Sequence, residues 1–320
     1  MFKHRSDGVF EKTADPVLGA TSFIMPRRYD AMVNFLLVSR CENLDQYIKK
    51  TYDEKGIHFS YMEVLIAAIV RMYAKKPFLN RFVMNGRIYR RDAIYISFAV
   101  KKQLTEDAPE TTVKLKFTGE EDIFTIKKMI DDEIVANKGD SKNDADKTAK
   151  ILSKIPNGLL KFGIGVIKWM DKHNCLPKKL INISPFHTSC FLTNMKSIST
   201  DYVYHHLYDF GTTSMFVGLG KEHLEPVVNE VTKQIEVGKV QRMGVVIDER
   251  ICDGFYYAKS IKYIRTILQN PAQLEQSYKI PECDKVYSKK QLRAKKKARK
   301  AEKKRLLKMQ KLIAKQNTNN

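Results

Sequence analysis

The stretch GVVIDERICDGFYY, Gly244 to Tyr257, sets a run of strand-forming residues against a cluster of charge. Asp248, Glu249 and Arg250 close the run, an Asp-Gly pair (Asp253, Gly254) turns the chain, and aromatic residues open a helix. A carboxylate at the end of a strand is a candidate general base, and Glu249 is the one singled out. Glutamate has a reference pKa of ~4.3, and burial can raise such a group toward ~6–7, where it serves as a base near neutrality. Arg250 would oppose that rise if it faced the same pocket, but neighbours along a strand point to opposite faces. The five cysteines, Cys41, Cys175, Cys190, Cys252 and Cys283, form no C-x-x-C pair. They read as buried, reduced thiols, with neither a zinc site nor a disulfide framework.

Other elements must hold this stretch in place. Residues 1–25 read as an irregular or partly extended lead-in, and PRRYDAMVNFLLVSRCENLDQYIKKTYDEKG as a strand followed by a helix. SYMEVLIAAIVRMYAKKP is the clearest helix: Ser60 can cap it, Glu63 completes a capping box, and Leu65, Ala68, Ile69 and Met72 share a face. GRIYRRDAIYISFAVKK reads as two strands around an Arg-Asp turn, with Ile94, Ile96, Phe98 and Val100 alternating inward. TVKLKFTG is a further strand and IFTIKKMIDDEIVANKG an amphipathic helix. DSKNDADKT is a polar linker, and AKILSKIPNGLLKFGIGVIKWMDKHN reads as helix, break, helix around the lone Trp169. LINIS, SCFLTN and SMFVGLG are strand candidates. KQIEVGKVQRMGVVID reads as a hairpin with Gly238 near its turn. FYYAKSIKYIRTILQNP places Ala258, Ile261, Ile264 and Leu268 on one helical face. Without a strict βαβ rhythm, a mixed sheet packed on helices is expected.

At DERICDGFYYAKSIKYIRTILQNP the sequence resembles the closing segment of the 2-oxo acid dehydrogenase acyltransferases and of chloramphenicol acetyltransferase, two branches of one fold. There the strand ends in H-x-x-x-D-G and a helix follows. YMEVLIAAIVRMYAKKPFLNRF is similar to the family's helix and P-x-L-N-like turn, FLTNMKSIS to its strand-turn, and FVGLGK to a further strand. The resemblance spans roughly residues 25–272. It implies an α/β (α+β) protein, a chloramphenicol acetyltransferase-like two-layer sandwich with helices on one face of a mixed sheet.

In that family a histidine takes the proton of a coenzyme A or dihydrolipoyl thiol. The thiolate attacks an acyl carbonyl, and a Ser or Thr hydroxyl from across a subunit boundary steadies the oxyanion. The resemblance therefore implies a homotrimer, coenzyme A or acyl-CoA as substrate, and no metal. Carried over by position, Asp253 holds the turn, Thr193 takes the hydroxyl position with Ser184 as the alternative, and Glu249 stands where the family has histidine. His187, in SPFHTSC, lies close in sequence to both hydroxyls and reads as a surface or hydrogen-bonded structural residue. His205 and His206 read as part of a loop or strand pair near the interface. The short segment before the resemblance leaves no space for lipoyl modules, so a free-standing acyltransferase or a noncatalytic relative is expected.

The formal charge of +21 sits mostly in a tail. Residues 285–320 hold fifteen Lys and Arg against one acid, Glu302, a net of +14, which leaves +7 for the rest. The tail, basic and helical or disordered, suits nucleic acid or an anionic surface, and its near lack of aromatics argues against base stacking. The domain expected between is 26–275. No apolar run reaches the length of a membrane span and the polar start lacks a secretory core, so the expectation is cytoplasmic.

Overall fold

The structure is a computed structural model that describes residues 5–12, 14–101, 110–138, 155–229, 231–287, 293–302 and 304–305. The expected linker at 140–148 and most of the basic tail lie outside these residues; within the tail, residues 293–302 are helical.

The frame is a seven-stranded mixed sheet. Its strands are β2 (Met32–Arg40), β5 (Ile94–Lys101), β6 (Glu110–Phe117), β7 (Cys190–Asn194), β8 (Met215–Leu219), β9 (His223–Val228) and β10 (Ile235–Asp248). They run in the order β2-β10-β8-β7-β5-β6, with β9 paired to the first part of β10. β5 with β7 and β7 with β8 are parallel; the other pairs are antiparallel. A smaller sheet joins β1 (Gly8–Phe10), β4 (Arg87–Arg91) and β3 (Arg81–Met84) in the order β1-β4-β3.

Period-two alternation divides the large sheet into two faces. Met243, Val245 and Ile247 of β10, Met215, Val217 and Leu219 of β8, and Cys190 and Leu192 of β7 join the main core. That core lies under helices α2 (Glu42–Lys55), α3 (Tyr61–Lys75), α4 (Ile123–Lys138) and α7 (Gly254–Gln269). α3 is the central helix. Ser60 and Glu63 form the expected capping box, and almost every residue from Tyr61 to Ala74 is buried, each large aliphatic side chain there contributing about 1.5–3 kcal/mol. Even Arg71 is buried; its guanidinium donates to the carbonyls of Gln273 and Gln276.

The opposite face carries a second cluster, Phe191, Phe216 and Val246 with Leu207. Leu207 belongs to an extended segment, residues 201–208, that crosses this face. Paired glycines permit the crossing: Gly244 lies opposite Gly218 in the ladder, and a Cβ on them would stand 2.3 and 2.6 Å from the Val203 carbonyl oxygen. Only a residue without a side chain lets backbone approach so closely.

Several expectations need correction. The lead-in contains β1 and a nine-residue helix, α1 (Pro16–Ile24), whose N-terminus Asp15 caps. LINIS is not a strand: Lys178–Ile183 forms the short helix α6, which follows α5 (Asn157–Lys172). Pro177 presets its start, and Lys114 Nζ binds the carbonyls of Ile181 and Ser184 at its end. Gly238 sits inside the unbroken β10 opposite Glu225; the chain reverses instead at Asn229–Gln234. The two strands around Arg91-Asp92 form, but in different sheets. On α7 the buried face is Ser260, Ile261, Ile264, Ile267 and Leu268, while Ala258 is exposed.

Candidate functional site

The end of β10 is dominated by a charge network that the sequence reading did not foresee. Asp248 is fully buried and accepts three hydrogen bonds from Arg250, 2.8 Å from Nε, 2.7 Å from the terminal nitrogen and 3.1 Å from the backbone N–H. The Arg250 guanidinium also donates to the carbonyls of Met25 (2.7 Å) and Pro26 (3.2 Å). Arg28 approaches Asp248 at 3.7 Å and donates to the carbonyls of Tyr208 and Gly211. Burial lowers the Arg28 pKa while Asp248 opposes the shift. The bidentate Asp248–Arg250 pair ties the strand end to the segment before β2, and so fixes the turn that follows. Arg250 is thereby committed to Asp248 and the Met25 and Pro26 carbonyls; it and Glu249 lie in the turn just past β10, so the strand alternation expected of them does not apply.

Within this frame Glu249 is half-buried, anchored by its backbone N–H to the Ala31 carbonyl at 2.9 Å. Among the described residues its carboxylate has no side-chain hydrogen bond or ion pair. Asp253 is exposed and caps α7 by accepting from the Tyr256 N–H at 2.9 Å. Cys252 is buried, which pushes its thiol up to about 12, so it is no thiolate nucleophile.

Thr193 and Ser184 sit in different surroundings. Thr193 lies on β7, beside Gly218 and on the face opposite the helices, and its hydroxyl meets only the Met195 sulfur at 3.8 Å. Gly218 pairs with Gly244, five residues before Glu249, so within one chain Thr193 and Glu249 are separated by about 17 Å along the strands. The structure does not bring these two together in a single chain.

Ser184, at the C-terminus of α6, instead forms a chain with two residues of other elements. Its Oγ lies 2.8 Å from His187 Nδ1, and His187 Nε2 lies 3.1 Å from Asp171 of α5. Asp171 also accepts from Arg5 at 2.7 Å, and Arg5 pairs with Asp7 at 2.8 Å. His187 is 1% exposed, so the surface alternative is excluded and the hydrogen-bonded one holds. Burial lowers its pKa against the pull of Asp171. Burial pushes the Asp171 carboxyl up, but His187 and Arg5 outweigh it and hold it at about 2. Lys114 beside them is pulled down to about 7, by burial first and by Arg91 second. A serine–histidine–aspartate chain is the arrangement of a nucleophile and its base. Here it knits α5, α6 and the N-terminal segment together in the interior.

Three cavities, of about 350, 400 and 430 Å³, open on the chain, and none of the three is lined by Glu249, Thr193, Ser184 or His187. His205 and His206 lie in the extended segment; His205 stacks on Phe216 with ring centroids 4.1 Å apart, and burial lowers its pKa. Among the described residues no group of three or more His, Cys, Asp and Glu is placed to hold a metal ion, and no helix is long and apolar enough to cross a membrane.

This sheet order, with helices on one face and a terminal strand–turn–helix, can be set against known architectures. The fold is that of the 2-oxo acid dehydrogenase acyltransferase cores. A probable dihydrolipoamide acetyltransferase from Listeria monocytogenes matches with TM-score 0.51 at 14% identity, over 85% of this chain and 98% of that one. The cubic core of a pyruvate dehydrogenase multienzyme complex matches with TM-score 0.50 at 11% identity, over 81% and 88%. Dihydrolipoamide acetyltransferase from Azotobacter vinelandii, studied for a serine, a histidine and an asparagine in its catalytic mechanism, matches with TM-score 0.50 at 12% identity, over 81% and 88%. No family model matches the sequence, and no curated protein matches it. The expected chloramphenicol acetyltransferase-like sandwich is the observed fold; at such identities the likeness speaks for architecture alone.

Proposed function

We propose that this protein descends from CoA-dependent acyltransferases, that its transfer step has lapsed, and that it works as a trimeric scaffold. Glu249 carries the reading. It stands half-buried just past the end of β10, at the position where the resemblance puts a histidine, its carboxylate without a side-chain hydrogen bond or ion pair among the described residues. Glutamate in general, with a reference pKa of ~4.3 against ~8.5 for a thiol, takes a thiol proton uphill by about 6 kcal/mol; imidazole at ~6.5 halves that cost. His187 does not replace the missing base, because it is buried and committed to Asp171 and Ser184.

The roughly 17 Å between Thr193 and Glu249 within a chain supports assembly as a trimer, in which the hydroxyl of one copy and the carboxylate of the next face each other. Coenzyme A would lie in that shared cleft. On this reading the basic tail, residues 285–320, meets nucleic acid or an anionic surface, three tails per trimer strengthening weak binding through avidity.

The test is acetyl transfer from acetyl-CoA to dihydrolipoamide. Wild type and Glu249→Gln should be equally inert, and Glu249→His should gain activity. If wild type transfers acetyl groups and Glu249→Gln loses about 10²-fold or more, glutamate is a working base and the lapse is refuted. Light scattering that finds a monomer would remove the shared cleft altogether.

A further inference from the structure

Helix α5 is built unlike those over the core. Asp171 is its sole buried residue. Leu159, Phe162, Val166 and Trp169 are 61, 70, 40 and 57% exposed, and their spacing sets them in one stripe. Lys161, Lys168 and Lys172, all exposed, form a second stripe alongside. The third side carries Asp171 onto the body of the protein. A helix on a water-facing surface normally turns polar residues outward; this one turns apolar and cationic residues outward.

At its C-terminal end Lys168 and Lys172 line the cleft of about 400 Å³, together with Ser22, Phe23, Arg27 and Arg28. One buried polar group of that lining, Ser22 Oγ in a residue only 2% exposed, has no hydrogen-bond partner among the described residues, whereas Arg28 Nε faces Asp248 at 3.7 Å. The acids that line the cleft are already engaged. Asp171 accepts from Arg5 and lies against His187, and Asp209 accepts from the Arg28 N–H at 2.8 Å. Phe23, 72% exposed, adds apolar surface at the same rim. A buried polar group without a partner is costly, and an anionic oxygen acceptor would satisfy the Ser22 hydroxyl.

We propose that α5 and this cleft form a docking surface for an anionic phospholipid bilayer. The apolar stripe lies among the upper acyl chains, with Trp169 at the polar–apolar boundary. The lysine stripe meets the headgroups, and one lipid phosphate enters the cleft to accept from Ser22 and the cations around it. Charge favours the bilayer as the occupant: the lysine stripe finds the opposite sign all along an anionic surface, whereas a second copy is itself a basic chain of formal charge +21. The proposal does not depend on the acyltransferase reading.

Trp169 is the only tryptophan, so its emission reports on α5 directly. With the full chain and vesicles of phosphatidylcholine containing phosphatidylserine, emission should shift to the blue and be quenched by brominated lipid. Phosphatidylcholine alone should produce neither effect. The variant Phe162→Glu/Val166→Glu should abolish the shift. Lys168→Glu/Lys172→Glu should weaken partitioning into anionic vesicles roughly tenfold or more. Vesicle sedimentation without any change in Trp169 emission would assign binding to the basic tail and overturn the proposal. A blue shift that depends on protein concentration without lipid would show a second copy on the stripe, and inorganic phosphate abolishing vesicle binding while leaving the stripe exposed would show a soluble phosphate site; either result overturns it.

Discussion

Two polar regions of this molecule are built on opposite terms. Asp248 with Arg250 and Arg28, and Asp171 with His187 and Arg5, are buried and paired with one another, and His187 also holds the half-buried Ser184. Glu249 and Thr193, which the resemblance marks for chemistry, are half-buried and nearly without partners. A buried charge must be paired to be tolerated, and the pairing then fixes geometry. A group meant for a substrate, or released from that duty, carries no such obligation. The two networks therefore hold the fold, and the second pair of residues is where the chemistry implied by the resemblance would act.

That contrast can be broken most forcefully at Asp248. Asp248→Ala strands Arg250 and Arg28 as buried cations and should cost about 3–5 kcal/mol, read by chemical denaturation. A loss below about 1 kcal/mol would put the network on a par with surface charge.

The histidine chain should show itself through pH. His187 has a folded-state pKa below its ordinary 6.5, so the native state binds fewer protons than the unfolded chain just below that value. Its contribution is complete above pH 6.5 and is lost as pH falls through the depressed pKa. Asp171, held at about 2 against an ordinary 3.8, adds a second loss below pH 3.8. Denaturation midpoints should fall over the first window in wild type and stay flat there in His187→Gln, measured against the stability that this variant retains.

Asp253→Ala removes the cap of α7 and should cost about 1 kcal/mol, without the collapse expected at Asp248. Glu249→Gln should change stability by no more than about 0.5 kcal/mol. A large effect there would mean that the carboxylate is part of the frame, and the distinction between the two regions would fail.

Much of the frame was legible in the chain because local signals and packing agreed. Ser60 and Glu63 marked the start of α3, and alternation in β5 put Ile94, Ile96 and Phe98 in the core. The misreadings came from signals with two meanings. Gly238 reads as a turn, but a Cβ there would meet Val227 at 2.4 Å, so the glycine serves close approach within a strand. LINIS is too short an apolar run to separate strand from helix, and Lys114, more than sixty residues away, binds the carbonyls that end it. Ala258 is exposed at the edge of the helical stripe, although Tyr256 and Tyr257 just before it pack against the core. The buried salt networks depend on partners such as Arg5 and Arg28, whose side chains are brought in from far along the sequence. His187 lies only three residues from Ser184, so their contact is local; the Asp171 that completes the chain comes from α5 and was visible only in the folded structure.

The Gly218–Gly244 pair makes the route of a whole segment depend on two hydrogen atoms. One added methyl at either position would lift Tyr202 and Val203 from the sheet and carry the stacked His205 away from Phe216. The aromatic covering of that face is thus encoded by what the strands leave out.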